Sequence, residues 1–466
     1  MAMVDKSLRP AVSASETYAE TVSSLKSHKI PPTVRTVVES ALLDVAGLCM
    51  AARNTDYVRT VLSAWDGKGK CTALGHAGSM DAAGAAVVNG TAAHGEDYDD
   101  TFEGTPVHAG AVIIPAVLAA CERYDRSGGD ALCGIVAGME LMCRLALVAP
   151  TAIHRGGFHP TAVIGALGAA AGVGVALKLS PKQLTDAMGV AGSMASGIIE
   201  YLAEGTWTKR IHPGWAAQSG LRTALLGKNG FSGPRTVLEG EHGFFFAFGV
   251  PEIKPDFTRV TEALGETWQM KKIAFKPYAC GTMLQPFIDC AVRLAREGLD
   301  HQDAVHISCN VGEGTVHRLW EPSSEKKYPT TPYSAKFSGP FCVAVGLVDR
   351  AAGLTQFTHE KISDPDILTL AEKVEYRIDP EDEYPRNYSG HVRVTLIGGS
   401  VRETRQPHLR GGVREPLDRS ELVDKFRANI AFGGISEKQA KAIEAALSGL
   451  FDAPDMSLLT ACRLEE

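Results

Sequence analysis

The segment from His94 to Thr101 holds a dense group of side chains that could do chemistry. It reads His-Gly-Glu-Asp-Tyr-Asp-Asp-Thr, and a second histidine, His108, follows it. The stretches on either side, 82–93 and 109–120, carry no charged residue. Burying several carboxylates is costly unless they are paired, hydrogen-bonded or used in a reaction. This composition therefore predicts either a solvated surface or the lining of a pocket.

Two later segments are also polar and lie between stretches rich in alanine and glycine. One contains His159 directly before Pro160, and the other contains Lys209 and His212. The first is typical of a tight turn at a helix N-terminus, which attracts anions. Imidazole can move protons near neutral pH, and a lysine amine can hold a carboxylate. We predict that the three segments form one active site assembled from helix ends.

The elements that must position these segments are helices. From Ser13 to about Lys271 the apolar residues follow a helical spacing, and the many alanines and glycines allow close helix–helix approach. Residues 209–212 are predicted to lie in a loop that enters a helix at Trp215.

Near Lys272 the pattern changes to a mixture of strands and helices. Alternating apolar and polar residues, with a hairpin turn at 397–400, predict strands at Ala304–Val311, His391–Leu396 and Val401–Arg405. Tyr333–Ala352 is predicted to be one helix. The predicted fold is mostly α, a large all-helical domain built from both termini (residues 1–271 and 412–466) with an inserted smaller α+β lid domain (272–411).

The composition limits the classes of partner and compartment. The chain has 466 residues and a net charge of −7, which argues against nucleic acid or an acidic membrane as the main partner. Its ten cysteines form no CxxC pair, which favours buried free thiols in a reducing compartment. Met1–Val22 lacks an apolar signal segment, and only Lys6 and Arg9 would support a targeting peptide. We expect a cytoplasmic protein.

The most apolar run, 162–177, is shorter than the roughly 20 residues of a membrane span and predicts a buried helix.

Five motifs, in order along most of the chain, resemble those of the MmgE/PrpD family, which includes 2-methylcitrate dehydratase, cis-aconitate decarboxylase and an iminodisuccinate epimerase. They are His94–Thr101, Gly157–Thr161, Thr208–Gly214, Phe275–Cys280 and Pro329–Ser338. The resemblance implies a helical domain with an α+β lid domain, a site between the domains, and a homodimer. It also implies a small di- or tricarboxylate substrate and catalysis without a metal or an organic cofactor.

Residue by residue, the resemblance assigns two groups of site residues. The catalytic group is Asp97, His108, His159 and Lys209, and the substrate-binding group is Thr101, His212 and Lys276. Gln285 joins the substrate-binding group because an amide can bind a carboxylate or a hydroxyl, although the family pattern differs there. Asp97 would orient a histidine or move a proton, and Lys209 would hold a carboxylate. Asp99 and Asp100 could instead cap the following segment. Clustered carboxylates also suit Mg²⁺, but the resemblance argues against a metal. Lys336 is predicted to pair with an acid at the domain interface.

The chain departs from the family pattern after Lys276. Dehydratases and decarboxylases of the family usually carry a histidine five or nine residues after this lysine, where this chain has Gly281 and Gln285. Glutamine is neither an acid nor a base near neutral pH.

We predict a cofactor-independent hydro-lyase, similar to 2-methylcitrate dehydratase, that removes a proton next to a carboxylate. The alternatives are an isomerase or epimerase on a similar acid, a decarboxylase of the cis-aconitate type, and a non-catalytic carboxylate-binding protein. The identity of the acid and the assignment of the histidines as acid or base stay open.

Overall fold

The computed structural model describes residues 11–464, so Lys6 and Arg9 lie outside the described residues. The described chain is mostly α-helical with small sheets, as predicted. It divides into two compact units. The first contains the described residues up to Gly95, then Phe102–Ile273, and the chain from Ile435 onward. The second contains Glu96–Thr101 and Ala274–Gly434.

The chain returns to the first unit at Ile435, whereas the sequence pattern predicts this boundary at residue 412. The helix Arg419–Phe432 belongs to the second unit because its side chains bond there. The Lys425 amine donates to the Tyr98 carbonyl at 2.8 Å, and Arg410 pairs with Glu421. The role of the second unit as a lid stays a prediction.

The first unit is built from helices of very different length and one small antiparallel sheet. Its helices are Ala14–Ser23, Pro32–Ala52, Asp56–Ser63, Ala82–His94, Gly110–Arg123, Gly128–Val148, Ala152–Arg155, Pro160–Ala176, Pro181–Met194, Tyr201–Glu204, Thr208–Lys228, Phe244–Phe248, Thr258–Thr261 and Glu437–Gly449. The sheet pairs Lys68–Thr72 with Ser79–Met80. The helix Pro160–Ala176 is buried along nearly its whole length, as predicted for the run 162–177. Within residues 11–464, one helix, Gly128–Val148, is long and apolar enough to cross a membrane, and it is almost entirely buried in the fold.

Glycines set the distance between the two helices that carry His94 and His212. A Cβ atom added to Gly214 would lie 2.2 Å from the Val87 carbonyl oxygen, and one added to Gly90 would lie 2.6 Å from the Gly214 Cα. Both are far inside van der Waals contact, so these backbones touch directly. The alanine- and glycine-rich composition therefore has the packing role that the sequence suggested.

The loop predicted for residues 209–212 is wrong, because these residues lie inside the helix Thr208–Lys228. Pro213, the sixth residue of that helix, suggested a helix start. A proline inside a helix removes one backbone hydrogen bond, here the one to the Lys209 carbonyl. The tight packing of the next residue, Gly214, against Val87 keeps this turn helical despite that loss.

The second unit combines a four-stranded sheet with helices. Its helices are Gln285–Arg296, Val316–Leu319, Ser323–Lys327, Pro332–Ala335, Gly339–Asp349, Pro365–Glu372 and Arg419–Phe432. The strands lie in the order Val374–Ile378, Ala304–Val311, Gly390–Leu396 and Val401–Gln406, with a parallel first pair and two antiparallel pairs. The predicted strands and hairpin are confirmed, and Gly398 and Gly399 both have positive φ in the turn. The single helix predicted over 333–352 is two helices, because Ser338 caps a new one.

Short strands occupy two of the places where the chain passes from one unit to the other. They are Thr101–Phe102 and Ile273–Ala274.

Candidate active site

Four buried histidines, here called the histidine cluster, lie together in the first unit. They are His94, His108, His159 and His212. His94 is the last residue of the helix Ala82–His94, and His108 precedes the helix that starts at Gly110. His159 caps the helix Pro160–Ala176, as its position before a proline predicted, and His212 lies one turn into its own helix. Helix ends therefore supply most of the cluster.

The rings of the cluster are close enough to act on one another. The ring centres of His94 and His108 are 4.9 Å apart, and those of His94 and His159 are 5.7 Å apart. The Nδ1 atoms of His159 and His212 are 3.1 Å apart, which is a hydrogen-bond distance. One of these two nitrogens must carry the proton while the other accepts it.

Backbone bonds and a glycine fix the position of His159. Its N–H donates to the Gly197 carbonyl at 2.9 Å, and the Ile199 N–H donates to the Gly157 carbonyl at 3.0 Å. Gly197 has a φ of +131°, and a Cβ atom there would lie 2.5 Å from Ala162 Cβ and 3.5 Å from the His212 ring. Only glycine fits this conformation and this space.

Burial and nearby cations keep the paired histidines neutral. Desolvation, followed by the charges of His94 and Lys209, holds the pKa of His159 well below its usual value of 6.5. Desolvation and the same two groups lower the pKa of His212 to about 4. Lys209 lies half-buried in the first turn of the same helix as His212. Both imidazoles are therefore uncharged at neutral pH, which is the form that can accept a proton.

Two of the residues in this region, His94 and Tyr201, were not predicted as site residues from the sequence. The ring centre of Tyr201 is 5.7 Å from that of His212 and 6.3 Å from that of His159. His94 stands in a recognised motif but was not assigned a role. Tyr201 lies in a short helix that ends at Gly205, and no pattern in the sequence distinguishes it from a solvated tyrosine.

In the second unit, Asp97 and Lys276 form a buried ion pair. The Lys276 Nζ atom is 2.9 Å from Asp97 Oδ1 and 2.8 Å from the Asp97 carbonyl oxygen. The Tyr333 hydroxyl lies 3.5 Å from Asp97 Oδ2. Asp97 has a φ of +55°, a left-handed conformation that few residues other than glycine adopt but that aspartate tolerates. The two residues that the sequence placed far apart thus meet directly.

The structure places the remaining residues of the acidic segment in the interior. Thr101, Asp99 and Asp100 are buried. The residues that follow form the short strand Thr101–Phe102, so the two aspartates do not cap a helix there. Lys336 pairs with Glu96 within the second unit, so the predicted acid partner exists.

Gln285 has a structural environment rather than the substrate-binding one that was predicted. Its Oε1 accepts from the Tyr278 N–H at 3.1 Å, and its Nε2 donates to the carbonyls of Tyr278 and Cys280 at 2.9 and 3.1 Å. The side chain is fully buried. Both amide hydrogens are used by the loop that follows Lys276, so Gln285 holds this loop and leaves the set of substrate ligands.

The donor sets also bear on metal binding. Neutral imidazoles suit transition metals, but the Nδ1 atoms of His159 and His212 are hydrogen-bonded to each other. Asp97, which could contribute to a Mg²⁺ site, is neutralised by the Lys276 ammonium.

Known proteins resemble this chain over most of its length. The family model for the MmgE/PrpD N-terminal domain matches residues 16–255, and the model for the MmgE/PrpD C-terminal domain matches residues 278–449. A cis-aconitate decarboxylase of Aspergillus terreus is 27% identical over 94% of this chain and 93% of that protein. A cis-aconitate decarboxylase of Homo sapiens is 29% identical over 81% of this chain and 78% of that protein. A cis-aconitate decarboxylase-like protein of Aspergillus oryzae is 27% identical over 94% and 95%.

Proposed function

The chain belongs to the MmgE/PrpD family, and from that premise we propose that it is a cofactor-independent lyase acting on a small di- or tricarboxylate. Its reaction starts with removal of a proton from a carbon next to a carboxylate. The hydrogen-bonded, neutral pair of His159 and His212 carries this proposal, because such a pair supplies a base at neutral pH.

The tautomers of the pair follow from this role. When His159 Nδ1–H donates to His212 Nδ1, the Nε2 atom of His159 has a free lone pair and can take the substrate proton. The imidazolium formed in this step keeps its Nδ1 hydrogen bond to neutral His212. A hydrogen bond to a charged donor is stronger than one between neutral groups, so the pair stabilises the protonated base.

The other assigned residues complete the reaction. His108, linked to His159 through His94 in the cluster, protonates the departing hydroxyl. The reverse assignment, with His108 as base and His159 as acid, is the alternative. Lys209 holds a substrate carboxylate. Lys276 and Thr101 keep the carboxylate-binding roles that the family resemblance implies, with Asp97 orienting the Lys276 amine.

We place dehydration, as in 2-methylcitrate dehydratase, first among the lyase reactions. The histidine that the resemblance expects after Lys276 has no counterpart in the loop. A Cβ atom on Gly281 would lie 3.1 Å from the Phe337 ring, and Gln285 is bonded to the backbone. Dehydration can draw its acid from the histidine cluster alone.

Two other reactions keep specific support. The relatives are named cis-aconitate decarboxylases, which favours decarboxylation as the second candidate. An isomerase or epimerase only removes a proton and returns it. Such a reaction needs no acid for a leaving group, and therefore no histidine in place of Gly281 or Gln285. A non-catalytic carboxylate-binding protein would have no need for a neutral histidine pair.

Proton NMR of the EDTA-treated protein in D₂O tests these reactions together. The panel contains 2-methylcitrate, citrate, cis-aconitate and substituted succinates. New olefinic signals from a hydroxy acid support dehydration, and loss of carbon dioxide from cis-aconitate supports decarboxylation. Deuterium at one carbon with inversion or double-bond migration indicates an isomerase. Thermal stabilisation by these acids without any turnover would reject the lyase and leave the binding protein.

A further inference from the structure

Three lysines of the second unit donate hydrogen bonds to three consecutive backbone carbonyls of the acidic segment. Lys336 donates to the Glu96 carbonyl at 2.7 Å, and Lys276 donates to the Asp97 carbonyl at 2.8 Å. Lys425 donates to the Tyr98 carbonyl, also at 2.8 Å. We call these three amines and the carbonyls of 96–98 the lysine clamp.

The clamp is built in the interior, where ammonium groups are costly. All three lysines are buried, Lys336 and Lys276 to within 2% of complete burial. A buried charge needs partners of opposite charge and several hydrogen bonds. The Glu96 and Asp97 carboxylates provide them for Lys336 and Lys276. The Lys425 ammonium lies 3.8 Å from the centre of the Tyr98 ring, a cation–π contact.

The clamp takes the place of secondary structure in this segment. Residues 96–98 belong to neither a helix nor a strand, so no ladder bonds their carbonyls. Backbone carbonyls in the interior need donors, and here lysine amines are those donors. The Tyr98 hydroxyl adds a bond to the Pro277 carbonyl at 2.9 Å, next to Lys276. The left-handed Asp97 is therefore fixed on both of its sides.

We propose that Lys336 and Lys425 are positioning residues that act on the reaction through Asp97. They come from different elements, Lys425 from the helix Arg419–Phe432 and Lys336 from the turn before the helix that starts at Gly339. Each holds the residue on one side of Asp97, so that its carboxylate stays on the Lys276 amine. The inference rests on the proposed function, in which Lys276, oriented by Asp97, binds a substrate carboxylate.

The first test compares Lys425→Met with a control lysine of the same unit. Lys373 is half-buried and donates to one carbonyl, that of Ala304, far from the acidic segment along the chain. We expect Lys425→Met to lower kcat about 10- to 100-fold with KM changed less than about threefold, since small misplacements of a reacting group have effects of this size. Lys373→Met should leave kcat within about twofold. Lys425→Arg, which keeps a cation and donors, should recover part of the loss.

A double-mutant cycle separates positioning from a general loss of structure. Asp97→Asn keeps a residue that tolerates the left-handed conformation. If Lys425 acts through Asp97, adding Lys425→Met to Asp97→Asn should lower kcat by less than about threefold further. Full additivity of the two losses would overturn the proposal. Lys336→Met, on the other side of Asp97, provides an independent second variant with the same expected result.

Hydrogen exchange tests the clamp without any substrate. Amides of the segment 96–101 should exchange faster in Lys425→Met and Lys336→Met than in the wild type, and unchanged in Lys373→Met. Unchanged exchange in all three variants would overturn the clamp even if the wild type has lyase activity. A wild type without turnover would reject the proposed function, and with it the catalytic part of this inference.

Discussion

At the scale of single residues, the neutral His159–His212 pair distinguishes this site from a simple collection of polar groups. The sequence predicted His212 as a substrate ligand. In the structure its Nδ1 atom faces His159 Nδ1 at 3.1 Å, which makes it a partner of the proposed base. Such a bond selects which nitrogen of the other imidazole carries the proton.

Replacing His212 should therefore affect the chemical step more than binding. We expect His212→Leu to lower kcat about 100-fold, in the range of general acid–base effects, with little change in KM. His212→Asn retains a hydrogen-bonding group near the Nδ1 position and should recover part of kcat. Steady-state kinetics decides, because a substrate ligand would instead show its main effect as a rise in KM.

The charge of Lys209 should be visible in the pH profile. Its ammonium lowers the pKa of both His159 and His212. Removing it in Lys209→Met should raise both pKa values, so the acidic limb of kcat/KM should move to higher pH. The absolute rate should fall at least about 100-fold, because a carboxylate ligand is lost. Lys228→Met, at the other end of the same helix, is the control and should leave the limb in place. An unmoved limb in Lys209→Met would contradict the assignment.

At the scale of elements, periodicity predicted the helices of the first unit and the strands of the second. It could not predict contacts between elements far apart in sequence. The hydrogen bond between Lys425 and Tyr98 joins residues 327 positions apart, and the local sequence around one residue does not predict its contact with the other. The same limit applies to the first helical turn at Lys209, where Pro213 predicted a helix start and the local sequence did not reveal the tertiary packing of Gly214. Motifs supplied the candidate site residues, but neighbours such as Tyr201 needed the structure.

The contact between helices at Gly214 should be intolerant of any side chain. In Gly214→Ala the new methyl group would meet the Val87 carbonyl oxygen at 2.2 Å, a backbone atom that cannot turn away. We expect a loss of about 1–3 kcal/mol in the free energy of unfolding, typical of overpacking. Gly449→Ala is the matched control, since its Cβ would have ordinary contact at 3.6 Å within the helix Glu437–Gly449. Denaturant unfolding should show no loss there.

At the scale of the whole molecule, the buried histidines tie stability to pH. The pKa of His212 is about 4 in the fold and near 6.5 when unfolded, so the unfolded chain binds the proton first as pH falls. The contribution of neutral His212 to the free energy of unfolding is fully present above about pH 6.5 and is lost as the pH falls towards 4. His212 alone should contribute a loss of roughly 3 kcal/mol at pH 4. His159 acts in the same direction.

Thermal unfolding between pH 7 and pH 4 measures this dependence. His212→Asn does not titrate in this range and should show a flatter decline than the wild type. Asp289 works in the opposite sense, because burial raises its pKa to about 6 and protonation favours the fold between pH 6 and 4. Asp289→Asn should therefore steepen the decline. Equal slopes for the wild type and His212→Asn would show that His212 is not held neutral by the fold.

The assignment of Glu96–Thr101 to the second unit has a consequence for how such proteins can evolve. This six-residue segment lies in the half of the chain matched by the N-terminal family domain. The lysines that donate to its carbonyls, Lys276, Lys336 and Lys425, all come later in the sequence. The two family domains are therefore not interchangeable modules. A recombination crossover between residues 255 and 276 would join an acidic segment and lysines with separate histories. Chimeras should keep their function only when both sides descend from parents with matching clamp residues.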